Sequence, residues 1–77
     1  MDSKVKFNNA RKKLQLSFKE PLSFKTIEVN SGIKTEILIG NAIISVGFCK
    51  LSINIQKDYL DSMLDAISNY DYKLIEE

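Results

Sequence analysis

The chain contains no histidine and no tryptophan, one cysteine, one proline and three glycines. Each scarcity removes a class of chemistry. Acid–base work near neutral pH draws most often on the imidazole side chain, so Ser–His–Asp and Cys–His arrangements are excluded. Cys49 has no second cysteine to pair with, which rules out an internal disulfide. Without histidine, a structural zinc site is excluded in practice as well. Gly32, Gly40 and Gly47 are scattered and match no phosphate-binding loop. The longest uncharged, mostly apolar run spans Ile37 to Cys49 and is interrupted by Gly40, Asn41 and Gly47. It falls short of the roughly 18 residues that a membrane-spanning helix needs. Met1-Asp2-Ser3-Lys4 opens no apolar stretch, so no secretory signal is expected. Together these absences imply an intracellular, cytoplasmic protein with a reduced thiol, no cofactor and no catalytic activity. Arginine is scarce too: Arg11 stands alone among lysines, and Lys, Ile and Asn are abundant. Such usage accompanies AT-rich coding sequence, as in low-GC bacteria and their phages.

What is present is charge, and it is zoned. Residues 1–57 carry ten basic and four acidic side chains, a balance of +6, whereas residues 58–77 set Lys73 against six acids, a balance of −5. The net charge of +1 therefore conceals a basic body joined to an acidic C-terminal segment. That polarity suits contact with a charged partner. At 77 residues a chain buries a modest core, and oligomerisation is a common remedy.

Alternation of period two dominates the first two-thirds. Val5 and Phe7 alternate with Lys4 and Lys6; Leu14, Leu16 and Phe18 alternate with Lys13, Gln15, Ser17 and Lys19. Both segments read as half-buried strands with lysines outward, joined by a hairpin loop at 8–12. A third strand is expected over Phe24–Val29 with Ile27 and Val29 inward, then a turn at Asn30-Ser31-Gly32 and a return strand over Ile33–Ile39. Gly40-Asn41 fits a two-residue hairpin turn. The stretch from Ala42 to Ile55 changes parity between Ile44/Val46/Phe48 and Leu51/Ile53/Ile55, which predicts a bulge or a turn within Gly47–Lys50, a bulge being favoured. From Lys57 the period becomes helical. Leu60, Met63, Leu64 and Ile67 form one apolar stripe, Asn69-Tyr70-Asp71 is expected to end the helix, and Tyr72–Ile75 fits either a frayed extension or a short strand.

The expected architecture is a single α+β domain over residues 1–77. A four- to five-stranded, mostly antiparallel sheet fills 1–55, one C-terminal amphipathic helix spans about 57–69, and a tail covers 70–77. One helix leaves part of such a sheet uncovered, so a homodimer is expected.

Two charged surfaces are candidate sites. Arg11, Lys12 and Lys13 at the expected hairpin tip, with Lys4, Lys6, Lys19 and Lys25 on flanking strands, would track a phosphate backbone by releasing counterions. Phe7, Phe18 and Phe24 are interleaved with them as possible stacking platforms, although the phase of Phe7 and Phe18 matches core positions. Asp58, Asp61 and Asp65 share one helix face at i, i+3 and i+7. Such a row can mimic phosphates and dock on a basic partner; its ordinary reading is a solvated stripe. Cys49, in an apolar strand segment, reads as a small buried hydrophobe.

The pattern Ile55-x-x-x-x-Leu60-x-x-Met63-x-x-x-Ile67, a strand end opening into a helix, resembles the last strand and C-terminal helix of the positive-cofactor-four family of transcriptional coactivators. The resemblance implies a curved antiparallel sheet followed by one helix, dimerisation through the helices, and single-stranded DNA on basic strands. That family's Lys-Gly pair before the last strand falls at Leu51 and Ser52, so this basic position is absent here. The leading functional expectation is a binding module for nucleic acid, single-stranded above all. The alternative is a small protein-binding inhibitor or regulator, phage- or mobile-element-encoded, that acts on host nucleic-acid machinery through the acidic helix or the exposed sheet.

Overall fold

The computed structural model describes residues 3–76, with side chains described for 3–70. The chain is α+β: helix α1 (Ser3–Gln15), strands β1 (Leu22–Val29), β2 (Gly32–Ile39) and β3 (Ala42–Lys50), and helix α2 (Ile55–Glu76). The strands form one three-stranded antiparallel sheet in the order β1-β2-β3, with β2 central.

The N-terminal third differs most from expectation. No strand occurs at Val5–Phe7 or Leu14–Phe18, and residues 8–12, read as a hairpin loop, lie inside α1. Burial decides between the two periods: Leu14 is 4% exposed whereas its alternation partner Leu16 is 88% exposed. The inward positions are Phe7, Ala10 and Leu14, spaced for one face of a helix. No β-branched residue stands between Val5 and Thr26, and Ala10–Leu16 is built of helix-favouring residues apart from its polar spacing. Gln15 then organises the exit. Its Nε2 donates to the carbonyls of Phe18 (3.3 Å) and Glu20 (2.7 Å), and its Oε1 accepts the Leu22 N–H at 2.8 Å. One side chain thus steers the chain past Pro21 into β1.

Both hairpins turn where local chemistry predicts. Val29 pairs with Gly32, so Asn30-Ser31 is a two-residue loop. Ile39 pairs with Ala42 around Gly40-Asn41. Gly40 has φ of +58°, a conformation that the first position of such a turn requires and glycine supplies. The expected irregularity at Gly47–Lys50 lies elsewhere: Ile37 pairs with Ser45 but Leu38 with Ile43, which makes Ile44 the extra, bulged residue. The parity change after Phe48 has another cause, because β3 stops at Lys50 and residues 51–54 form a connection rather than strand.

Helix α2 starts at Asn54, whose Oδ1 accepts the Lys57 N–H (3.2 Å) as an N-cap. It does not end at Asn69–Asp71 but runs on to Glu76, so residues 72–75 extend the helix. The stripe Leu60, Met63, Leu64 is only half-buried, while Ser62 and Ala66 are fully buried. The reason is a very close approach to β3. A Cβ added at Gly47 would overlap the Ala66 amide and lie 2.5 Å from the Ser62 carbonyl. Small residues on both elements let helix and strand backbones touch. Thr35 and Ser62 share a hydroxyl hydrogen bond (2.7 Å), Ser62 Oγ donates to the Ile33 carbonyl (3.0 Å), and Ser45 Oγ donates to the Ala66 carbonyl (2.7 Å). These bonds satisfy the buried polar groups of that seam.

Helix α1 fills the rest of the same sheet face. Phe7 meets Phe24 edge-on at 5.4 Å, and Leu14 packs with Ile37, Ala66 and Ile67. Both helices therefore cover one face, lined by Leu22, Phe24, Thr26, Ile33, Thr35 and Ile37. The other face has no layer over it among the described residues.

Candidate functional site

The basic residues expected on strands sit mainly on α1. Lys4, Lys6, Arg11, Lys12 and Lys13 are its charged side chains, with no acid among them. At about 100° per residue, Lys6 and Lys13 lie along one flank, Lys4 and Arg11 along the other, and Lys12 points away from the Phe7–Ala10–Leu14 face. Lys19 follows in the connection to β1, and Lys25 stands on the outer sheet face. The predicted basic strand face and hairpin tip are thus replaced by a basic helix. Lys12 and Lys13 occupy its last turn, where cations complement the macrodipole.

The flank bearing Lys6 faces α2, with which it shares a groove lined by Ala10, Asp61, Leu64 and Asp65. Part of the zoned charge is therefore apposed within the fold, basic helix beside acidic helix. Phe7, Phe18 and Phe24 face inward; Phe18 packs on Tyr70 at 5.7 Å. All three are partly buried against the core. Phe48, on the outer sheet face, is the exposed phenylalanine and lies beside Lys34 in the cross-strand register.

The three carboxylates expected to share one face of α2, Asp58, Asp61 and Asp65, do not form a uniform solvated stripe. Asp58 is 2% exposed, and accepts hydrogen bonds from the Ser52 N–H (2.6 Å) and Ser52 hydroxyl (2.8 Å), pinning the connection that precedes the helix. Asp61 pairs with Lys57 at 2.9 Å. Asp65 accepts the Phe48 N–H at 2.9 Å, while Asn69 Nδ2 donates to the Val46 carbonyl at 2.7 Å.

Cys49 is partly buried beside this acid group. Its thiol, Asp58 and Asp61 have ligand atoms within 4.8 Å of one another. Burial raises the Cys49 pKa, the Asp58 and Asp61 carboxylates raise it further, and Lys57 only partly offsets them. Both oxygens of Asp58 already accept hydrogen bonds, so this carboxylate is committed to holding the 51–54 connection in place, while Asp61 pairs with Lys57. A protonated thiol in such a setting is a weak nucleophile.

The open sheet face carries Ile27, Val29, Ile43, Val46 and Phe48, all exposed. Lys25, Lys34 and Glu36 stand among them, with Lys34 and Glu36 paired at 3.8 Å. Ile27 and Val29, expected inward, face out because Phe24 and Thr26 carry the inward phase of β1, and Val46 and Phe48 face out with them. The inward neighbours of Val46 and Phe48, Ser45 and Gly47, are small because α2 lies directly on them.

The chain matches no family model, no curated protein and no solved structure. The resemblance to the positive-cofactor-four coactivators implies a sheet followed by one helix, whereas this chain also has a helix before its sheet. No helix among the described residues is long and apolar enough to cross a membrane.

Proposed function

We propose that the chain is a non-catalytic binding module that engages nucleic acid through α1. The observation that carries this reading is the charge of that helix: five basic side chains, no acid, and a core-facing stripe that leaves Arg11, Lys12 and Lys13 outside the core. Lys19 extends the same basic character into the connection. Clustered cations on one element are the electrostatic footprint of a phosphate-tracking surface. With Phe7, Phe18 and Phe24 packed inside, recognition rests on phosphates, and any preference for single strands falls to Phe48 on the far face.

The test is fluorescence anisotropy of a labelled single-stranded oligonucleotide and its duplex, each titrated at several salt concentrations. Affinity is expected to fall steeply with salt, and Arg11/Lys12/Lys13→Ala to reduce the slope by about 2–3, since each lost phosphate contact removes roughly 0.7–0.9. Absence of binding at low salt would overturn the reading. The protein-binding alternative draws on the exposed apolar side chains of the outer sheet face rather than on the acidic helix. It predicts instead a stable complex with one protein that Phe48→Lys disrupts.

A further inference from the structure

The two edges of the sheet are treated differently. On β3, the outward Val46 carbonyl and Phe48 N–H are taken by Asn69 and Asp65 of α2. These two side chains occupy the positions that a neighbouring strand would fill. The ladder geometry then sets the rest. In an antiparallel sheet both backbone groups of a residue point to one side and those of the next residue to the other. Val46 and Phe48 point outward, so Gly47 faces β2 and bonds its partner Thr35. Lys34 and Glu36 must therefore face β1, towards Ile27 and Lys25. Phe24, Thr26 and Glu28 are left with their N–H and C=O groups directed away from the sheet. The Leu22 N–H, in the same phase, is covered by Gln15 at 2.8 Å, which supports the assignment. Among the described residues no side chain is bonded to the outward groups of Phe24, Thr26 and Glu28.

The geometry points to β1 as an assembly edge that pairs antiparallel with β1 of a second copy of this chain, closing a six-stranded sheet across a two-fold axis at Thr26. Three observations select a second copy. The outward-facing residues Phe24, Thr26 and Glu28 are self-complementary in the register centred on Thr26: Thr26 meets Thr26, and Phe24 meets Glu28. On the outer face Lys25 meets Ile27 and Ser23 meets Val29, so no like charges oppose each other. Registers centred on Glu28 or on Lys25 would put carboxylate on carboxylate or ammonium on ammonium. Second, the edge has neither proline within it nor a bulge, two of the devices that block strand addition, and its charged residues, Lys25 and Glu28, meet uncharged partners in this register. Third, such a dimer leaves the capped β3 edges at its two ends, so assembly stops at two copies. The expectation of a homodimer thereby acquires a location, independent of the nucleic-acid reading.

In this arrangement the two α1 helices lie on the same face, flanking the junction, and their like charge opposes association at low ionic strength. The experiment is sedimentation velocity at moderate salt over a range of protein concentration, with Thr26→Pro and the cross-linking variant Thr26→Cys in a Cys49→Ser background. Proline at 26 removes an outward N–H that no intramolecular bond uses, so the circular dichroism should be preserved while the dimer is lost. Thr26→Cys should form an intermolecular disulfide on mild oxidation. A wild type that stays monomeric at the highest concentrations overturns the inference. So does a dimer that Thr26→Pro leaves intact, or one in which cysteine at outer-face Val46 cross-links and cysteine at Thr26 does not. Oligonucleotide binding by a strict monomer would retain the proposed function and reject the edge pairing.

Discussion

Asp65, on α2, accepts the backbone N–H of Phe48, on the edge strand β3, at 2.9 Å. A helix side chain thus stands in for a missing strand, and Asn69 completes the substitution four residues later by donating to the Val46 carbonyl (2.7 Å) and to Asp65 (3.3 Å). An uncapped edge is a template for further pairing. Asp65→Ala with Asn69→Ala should therefore produce assemblies larger than a dimer, read by light scattering. A double variant that scatters like the wild type would show that the caps do not guard the edge.

The contact between Gly47 and α2 makes a sharper demand. Gly47→Ala places a methyl into helix backbone that cannot move without shifting the whole of α2. Overpacking of this kind costs about 1–3 kcal/mol, and more where backbone is struck. Urea denaturation should show a loss at the upper end of that range. Near-neutral behaviour would mean that the helix stands further from β3.

The buried hydroxyl pair gives a coupling test. Ser62→Ala leaves Thr35 and the Ile33 carbonyl without the Ser62 hydroxyl, at a cost of about 1–3 kcal/mol. Thr35→Val added to it should cost less than the sum of the two single changes, because partners that share a bond are not independent. Additive losses in a double-mutant cycle would argue against the bond.

Helix α1 can be checked with two leucines. Leu14→Ala opens a cavity and should cost about 2–5 kcal/mol. Leu16→Ala should leave stability nearly unchanged, since Leu16 is solvated. Equal losses would favour the strand reading of this segment.

The Cys49 thiol supplies a pH prediction. Its pKa is raised by burial first and then by Asp58 and Asp61, so the folded protein holds the proton beyond the ordinary thiol range. Alkylation by iodoacetamide should be slow at mildly alkaline pH, and Asp61→Asn should shift its pH profile downward. The sign for stability follows: the contribution is complete below the unfolded thiol pKa of about 8.5 and is lost as pH rises through the higher folded value. An alkylation profile matching a free thiol would remove the carboxylates from the account.

Sequence alone determined the features that short-range chemistry controls. The two hairpin turns follow from Asn30-Ser31-Gly32 and Gly40-Asn41, β1 and β2 from their β-branched residues, and most of α2 from the change of period at about Lys57. The absence of histidine and of a second cysteine bounded the chemistry without any structure. Tertiary structure decided the rest. Lys13–Lys19 satisfies an alternating pattern, and only packing of Phe7, Ala10 and Leu14 against Phe24, Ile37 and Ile67 selects the helical period over it. Val46 and Phe48 look like core, yet they face out, because α2 approaches β3 so closely that only Ser45 and Gly47 fit beneath it. The acidic row divides likewise: Asp58 is buried in a loop anchor, Asp61 pairs with Lys57, and Asp65 caps a strand. A linear pattern records which side chains can share a face. Which backbone groups need those side chains as partners is settled only when helix and sheet edge come together.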